Sequence, residues 1–124
     1  MNSETKRHVV LIVEDEFLIR MDAVDMIRAA GFDVVEAANA DEAILILEDR
    51  PDITVVFTDI HMPGSMDGLK LAAAIRGRWP PIKIVATSGR AKVTDGDLPR
   101  GSRFLPKPYS VREIVGALFE LTGA

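Results

Sequence analysis

Apolar and polar residues follow one another along this chain in two different periods, which predict strands and helices in alternation. Three stretches are rich in apolar β-branched residues, and the first of them is a continuous apolar run, which is typical of strands that are covered on both faces, as in a parallel sheet. Two shorter stretches, one after the first helix and one near the end of the chain, complete the set. The five predicted strands are Val9–Val13, Asp33–Ala37, Ile53–Thr58 (ending on Asp59), Ile82–Thr87 and Arg103–Leu105.

Helical periodicity appears between most of these strands and after the last one. Gly31 is a natural residue to follow the end of the first helix. Ser110 and Glu113 form the pattern of a capping box at the start of the last one. The predicted helices are Phe17–Ala30, a second that begins at Asn39 or Ala40 and is broken at Pro51-Asp52, a third over about Gly68–Arg78, and a last that runs to about Leu121.

The apolar positions within these helices predict which side of each faces the sheet. The first helix offers two stripes, only one of which can face the sheet fully. Its stripes are Ile19, Ala23, Met26 or Ile27, and Ala30 on one side, and Phe17, Met21 and Val24 on the other. The inward positions expected in the other helices are Ala43, Ile44 and Leu47; Leu69, Ala72, Ala73 and Ile75; and Val111, Ile114, Val115 and Leu118.

The stretch between the fourth and fifth strands, Arg90–Gly101, is a poor helix because Asp95-Gly96-Asp97 and Pro99 interrupt it. A helix there should be short or mobile. The alternation of strands and helices as a whole predicts an α/β fold, with parallel strands joined by right-handed crossovers and helices on both faces.

Composition narrows the class of protein. The 124 residues suit one domain, and the 15 basic and 19 acidic side chains leave a net charge of −4. This mild acidity argues against direct nucleic-acid binding, which needs a basic surface. No cysteine is present, so disulfides, thiol nucleophiles and cysteine metal sites are excluded. The apolar run Val9–Val13 is too short for a signal sequence or a membrane span, and we expect a cytoplasmic protein without membrane contact.

Polar residues follow the predicted strands at the carboxyl ends, where open α/β sheets bind ligands. Each has an ordinary explanation when taken alone, as a turn residue, a solvated helix start or a surface lysine. Their joint placement at one sheet edge is what indicates a site. The residues are Glu14-Asp15, Asp59, Thr87-Ser88 and Lys107.

This combination of side chains suits phosphoryl transfer. Carboxylates in one cleft repel each other, and a hard divalent cation such as Mg²⁺ relieves the repulsion. A lysine can balance anionic charge, and a serine or threonine hydroxyl can donate to a phosphoryl oxygen. An aspartate would then be the nucleophile.

The same residues carry a resemblance to a known family. Over about residues 6 to 122 the chain resembles the receiver domain of two-component response regulators, and this predicts a single receiver domain for residues 1–124. The motifs, in order, are Glu14-Asp15, Asp59-Ile60-His61-Met62-Pro63 with Met66-Asp67-Gly68, Thr87-Ser88-Gly89 and Lys107-Pro108.

The resemblance implies a flavodoxin-like sheet with strand order 2-1-3-4-5. It implies that Asp59 accepts a phosphoryl group from a sensor histidine kinase or a histidine phosphotransfer protein. Mg²⁺, or Mn²⁺, would be bound by the side chains of Asp15 and Asp59 and the backbone carbonyl of His61, with Glu14 acting through a water molecule. Lys107 would contact the phosphoryl group, and the peptide bond that follows it, to Pro108, would be cis.

The resemblance also implies a switch that is read by another protein. Ser88, with Thr87 as the alternative, would move toward the phosphoryl group, and Phe104 would rotate inward or serve only as core packing. Phe17, Leu18 and Met21 are candidates for docking the kinase, with core packing as the alternative for each. The downstream partner is unknown, and the protein would be a monomer or weak dimer.

The chain departs from the family pattern in three respects, one of which is the choice between Thr87 and Ser88 for the hydroxyl. Two other functions are alternatives to the receiver. Gly64-Ser65 adds one residue beside the site, and the stretch from Gly89 to Gly101 weakens the usual output surface. We expect phosphorylation to order that stretch. An aspartate-nucleophile phosphatase, with His61 as acid or base, would need a substrate pocket that the sequence does not reveal, so no turnover on an external substrate is expected. A non-phosphorylated interaction module would not need Asp15, Asp59 and Lys107.

Overall fold

The computed structural model describes residues 7–64, 66–89 and 95–123. Within these ranges the chain forms strands and α-helices close to those predicted. The elements are β1 (Val9–Val13), α1 (Phe17–Ala29), β2 (Asp33–Ala37), α2 (Ala40–Asp49), β3 (Ile53–Asp59), α3 (Gly68–Arg78), β4 (Lys83–Ser88), β5 (Arg103–Pro106) and α4 (Val111–Thr122).

The strands form one parallel sheet in the order β2-β1-β3-β4-β5, which confirms the predicted fold class and strand order. The pairing register sets the carboxyl ends side by side. Asp59 of β3 lies opposite Thr87 of β4, and Ser88 lies opposite Pro106 of β5. Polar residues that end different strands therefore meet at one edge.

Two apolar cores cover the two faces of the sheet. Every residue of β1 is buried, which is why its sequence shows no polar alternation. On one face, Leu11 and Ile84 pack in a cluster with Leu71 and Ile75 of α3. On the other face the cluster consists of Val10, Ile12, Ala23, Val24, Ile27, Phe32, Val55, Phe57, Val85, Ile114 and Leu118. Helices α2 and α3 thus cover one face, and α1 and α4 the other.

The helix ends follow local side-chain chemistry. Asn39 accepts a hydrogen bond from the Glu42 backbone N–H at 2.8 Å, so it caps α2 and α2 begins at Ala40. The capping box predicted for Ser110 and Glu113 is present at the start of α4. Gly31 follows α1 with φ of 100°, a conformation that favours glycine.

Several predictions of helix orientation were wrong in part. Val111 was expected to face inward but is 55% exposed. It is the first residue of α4, and periodicity alone cannot tell where along a helix the sheet stops covering it. In α3, Leu71 is fully buried while Ala73 is exposed, so the inner face is rotated from the one predicted. In α1, by contrast, the second stripe is partly exposed, as expected when only one stripe can face the sheet fully: Val24 is buried and Phe17 is exposed.

Between β4 and β5, residues 90–94 lie outside the described ranges, so the prediction of a short or mobile helix there is untested over that part. From residue 95 onward the described chain forms a three-residue 3-10 helix, Asp95–Asp97. Among the described helices none combines the length and the apolar character needed to cross a membrane.

Candidate active site at the carboxyl edge of the sheet

Three carboxylates converge at the carboxyl edge of the sheet. Glu14 and Asp15 follow β1, and Asp59 ends β3. Each offers an oxygen, and these oxygens all lie within 4.8 Å of one another. Glu14 is 4% and Asp59 6% exposed, whereas Asp15 is half-buried. Ionised carboxylates that lie this close together and this far from solvent repel each other, so they need a cation near them.

Lys107 supplies one positive charge to this cluster. Its Nζ lies 3.0 Å from Glu14 Oε1 and 3.5 Å from Asp59 Oδ1. Its backbone N–H donates to the Ser88 carbonyl at 2.9 Å, which ties the residue to the end of β4. The Lys107–Pro108 peptide bond is cis, as the family resemblance implied.

The electrostatics of the cluster reflect burial first. Burial raises the pKa of Asp59 above its ordinary value of 3.8, although the Lys107 charge and a hydrogen bond from the His61 backbone N–H oppose the rise. Burial likewise raises the pKa of Glu14. Burial lowers the pKa of Lys107, but hydrogen bonding to Glu14 and the charge of Asp59 outweigh it, so the pKa is raised overall. Lys107 is therefore a cation beside two buried carboxylates.

A second cation supports the cluster from outside, and sequence reasoning missed it. Arg20 of α1 donates from Nη1 to the Glu14 backbone carbonyl at 2.8 Å and from Nε to Glu36 at 3.1 Å. The Glu16 backbone N–H donates to Glu14 Oε2 at 3.1 Å. No spacing in the sequence connects Arg20 to a carbonyl six residues earlier.

The loop after Asp59 is held close to the sheet by backbone contacts. Ile60 donates to the Thr87 carbonyl at 2.9 Å, and Gly68 donates to the Ile60 carbonyl at 2.8 Å. A Cβ at Gly68 would collide with the Asp59 carbonyl oxygen and the Ile60 Cα. Glycine in the Met66-Asp67-Gly68 motif is thus required for α3 to start against Asp59. The His61 side chain is exposed.

Thr87 and Ser88 lie on opposite faces of the sheet. Val85 packs in the α1 and α4 core and Ile84 in the α2 and α3 core, so strand alternation assigns Thr87 to the first face and Ser88 to the second. Both are buried. Phe104 pairs with Ala86, two residues before Ser88, and so lies on the same face as Ser88. The half-buried Phe104 and the Ser88 hydroxyl therefore share one side of β4 and β5.

The predicted docking residues lie on the outer side of α1. Phe17 is 59%, Leu18 76% and Met21 42% exposed, so their alternative as core residues is wrong. A cleft on this helix runs between α1 and the segment that precedes α4. It is lined by Ile19, Asp22, Met26, Lys107, Pro108 and Tyr109. Lys107 thus belongs both to the carboxylate site and to the lining of this cleft on α1.

Comparison with known proteins is consistent with this geometry. Residues 10–119 match the model of the response regulator receiver domain. The response regulator receiver protein CpdR of Brucella abortus is 33% identical over 112 residues, which cover 88% of this chain and 92% of CpdR. The sensor kinase CckA of the same species is 36% identical over 116 residues, 90% of this chain, but the chain spans only 12% of CckA.

Solved structures give the same result. The response regulator receiver protein of Sinorhizobium medicae superposes with a TM-score of 0.88 at 28% identity, covering 96% of this chain and 97% of that one. The family match spans most of the chain, and the fold brings together an acidic cluster that could hold a metal ion. The chain therefore belongs to the response regulator receiver domain family and functions as a phosphoacceptor domain of two-component signalling.

Proposed function

We propose that Asp59 is the phosphoryl acceptor and that the residues around it form the transfer site. The observation that carries the proposal is the convergence of Asp59 with two further carboxylates and the Lys107 ammonium at one sheet edge. The nucleophile ends a central strand, so its backbone is fixed, and its side chain is only 8% exposed at the carboxyl edge of the sheet. A donor can approach from the open side of the edge.

The three carboxylates fit a hard divalent cation, Mg²⁺ or Mn²⁺. Their oxygens lie within 4.8 Å of each other, and burial raises the pKa of both Glu14 and Asp59. Asp15 and Asp59 would bind the ion through side-chain oxygens and His61 through its backbone carbonyl, with Glu14 acting through a bound water. The ion would supply positive charge where the phosphoryl oxygens carry their negative charge.

The chemistry is a displacement at phosphorus. One Asp59 carboxylate oxygen attacks the phosphorus of a phosphohistidine. The new O–P bond forms as the P–N bond breaks, and the donor imidazole keeps the bonding electron pair. The Lys107 ammonium, 3.5 Å from Asp59, would then hold a phosphoryl oxygen that carries negative charge.

Ser88 would donate its hydroxyl to another phosphoryl oxygen, and this contact would bias the switch. Its position on the same face as Phe104 supports Ser88 over Thr87. A Ser88 hydroxyl drawn toward Asp59 leaves space behind it, which the half-buried Phe104 ring would occupy. Phosphorylation would thereby favour one of two arrangements of β4, β5 and the segment that joins them.

The kinase or phosphotransfer protein would dock on the exposed side of α1. Leu18 and its exposed apolar neighbours lie on α1, the same helix that lines the cleft reaching Lys107. A donor helix that covered this surface would bring its phosphohistidine to the carboxylate edge. The protein that reads the phosphorylated state would bind elsewhere, where β4 and β5 change.

The experiment that tests this proposal is intact-mass measurement after incubation with acetyl phosphate. We expect the wild type to gain one phosphoryl group in the presence of Mg²⁺ and none when EDTA replaces the metal. Asp59→Asn should gain none under either condition. Glu48→Gln, which neutralises an exposed carboxylate of α2, is the matched control and should gain one group.

Phosphorylation of Asp59→Asn to the wild-type extent would contradict the role of Asp59. Equal phosphorylation with and without metal would contradict the role of the carboxylate cluster. If no small donor works, transfer from a phosphorylated histidine kinase decides the same two questions with the same variants.

A further inference from the structure

Arg20 makes three contacts that converge on the start of the acidic site. Its side chain is only 15% exposed. Nη1 donates to the Glu14 backbone carbonyl at 2.8 Å, and Nε donates to the Glu36 carboxylate at 3.1 Å. The guanidinium carbon lies 5.5 Å from the centre of the Phe17 ring. One planar group thus joins β1, β2 and the first turn of α1.

The carbonyl contact matters most of the three. Glu36 is 44% exposed, so its ion pair with Arg20 is screened by solvent and contributes little alone. The Glu36 carboxylate and the Phe17 ring instead hold the guanidinium in one orientation. That orientation lets Nη1 meet the Glu14 carbonyl in a charge-assisted hydrogen bond.

The Glu14 carbonyl belongs to the peptide unit that joins Glu14 to Asp15. Its plane helps to set the directions in which the two carboxylates leave the chain. The Glu14 N–H is fixed to the Ala37 carbonyl at 3.1 Å, and the Glu16 N–H is fixed to Glu14 Oε2 at 3.1 Å. Arg20 adds a third anchor, from the side of α1, on the carbonyl between those two points.

We propose that Arg20 is a positioning residue that holds the Glu14–Asp15 peptide so that both carboxylates are presented to the metal. The inference rests on the proposed function, because it assumes that this cluster binds Mg²⁺. Residues that orient metal ligands from outside the first layer typically change metal affinity by at least about tenfold when they are removed.

The sign of the effect separates positioning from simple charge. Arg20 is a cation near a cation site, so removing its charge alone would strengthen Mg²⁺ binding. Loss of positioning would weaken it. The pair Arg20→Met and Glu36→Gln removes one positive and one negative charge, so the double variant leaves the net charge unchanged.

The experiment is calorimetric titration of the metal-free protein with Mg²⁺. The titration compares the Mg²⁺ affinity of four proteins: the wild type, the Arg20→Met/Glu36→Gln double variant, Glu36→Gln alone and Arg20→Lys. We expect the double variant to bind Mg²⁺ about tenfold more weakly than the wild type. Glu36→Gln should stay within about twofold, and Arg20→Lys, which keeps the charge but loses the fork, should fall between them.

A second readout needs no metal. Amide hydrogen exchange of Glu16, whose N–H donates to Glu14 Oε2, should be faster in Arg20→Lys than in Glu36→Gln. This measurement, together with the titration of Arg20→Lys, keeps the test decisive if the double variant is too unstable to titrate.

If the double variant bound Mg²⁺ as tightly as the wild type, or more tightly, the positioning role would be overturned. The metal site would still stand, because the wild type would have bound Mg²⁺. Absence of Mg²⁺ binding by the wild type would overturn the metal site itself and this inference with it. The two failures are therefore distinguishable.

Discussion

The Lys107 ammonium donates to the Glu14 carboxylate at 3.0 Å, across 93 positions of the chain. It lies 0.5 Å farther from Asp59, at 3.5 Å against 3.0 Å. The single positive charge of Lys107 is therefore shared between Glu14 and Asp59 and is not committed to Asp59. A ligand that supplied another positive charge would release it to contact a phosphoryl group.

Lys107→Met should destabilise the metal-free protein, and Mg²⁺ should restore part of the lost stability. The variant leaves the buried Glu14 and Asp59 carboxylates without their cation, and we expect the free energy of unfolding to fall by about 1–3 kcal/mol. Mg²⁺ should recover part of this loss, since it binds the folded state and replaces the missing charge. Urea unfolding with and without Mg²⁺ measures both effects. An unfolding free energy equal to that of the wild type without metal would contradict this account of Lys107.

Gly68→Ala should be strongly destabilising, because its Cβ would collide with the Asp59 carbonyl and the Ile60 Cα. Backbone cannot move aside as a flexible side chain can, so we expect a loss of about 2–4 kcal/mol in urea unfolding. Gly116→Ala is the matched control. It lies within α4 with nothing inside 4 Å of its Cβ position, and it should gain about 0.5–1 kcal/mol. Similar effects at the two glycines would refute the close approach of α3 to Asp59.

Ser88→Ala should impair phosphorylation more than Thr87→Val does. If Ser88 donates to the phosphoryl group, its loss should slow phosphorylation by acetyl phosphate about tenfold, the value of one charge-assisted hydrogen bond. Thr87 faces the opposite core, and its isosteric replacement should change the rate less than about threefold. The opposite ranking of the two rates would assign the hydroxyl role to Thr87.

Leu18→Ala should slow phosphotransfer from the kinase but not from acetyl phosphate. Leu18 is 76% exposed on α1, and loss of one apolar contact in a docked complex should cost about fivefold in rate. Leu45→Ala is the matched control, because Leu45 is 66% exposed on α2, which covers the opposite face of the sheet. Slowing of both donors by Leu18→Ala, or an equal effect of Leu45→Ala, would argue against docking on α1.

Tyr109 provides a test of the electrostatics by pH titration. Burial, with the charge of Glu14 next, raises its pKa from 10.0 to about 12. The folded protein therefore retains the phenol proton above pH 10, whereas the unfolded chain loses it. Stability from this group is fully present below pH 10 and is lost as the pH rises toward 12.

The absorbance signal of this titration can be assigned to one group because Tyr109 is the only tyrosine in the sequence. Absorbance at 295 nm should change little between pH 9 and 11 while far-ultraviolet circular dichroism shows the fold intact. Addition of urea at pH 11 should release the phenolate signal. A titration midpoint near 10 in the folded protein would contradict the burial of the Tyr109 ring against Phe57.

Local patterns were sufficient for the elements and for the motif residues. The β-branched run of β1 predicted a strand covered on both faces, and Ser110 with Glu113 predicted the start of α4. The family resemblance added the strand order and the cis bond before Pro108, both of which the structure contains. The roles of Asp59, Lys107 and Ser88 remain predictions that the experiments above test.

Other features depended on distances that no local pattern contains. Periodicity placed Val111 on the inner side of α4 but could not show that it is exposed at the start of the helix. Arg20 contacts the carbonyl of Glu14, which follows β1, and no motif or spacing predicts such a contact.

The sequence by itself determined the alternation of strands and helices, their ends and the candidate residues, because these follow from propensity, capping and spacing along the chain. Tertiary structure alone decided that Lys107 lies nearer Glu14 than Asp59, that Ser88 and Phe104 share a face, and that Gly68 packs on Asp59. Those relationships depend on strand register and on helices packed across the sheet. Register and packing are fixed by the summed contacts of residues far apart in the chain.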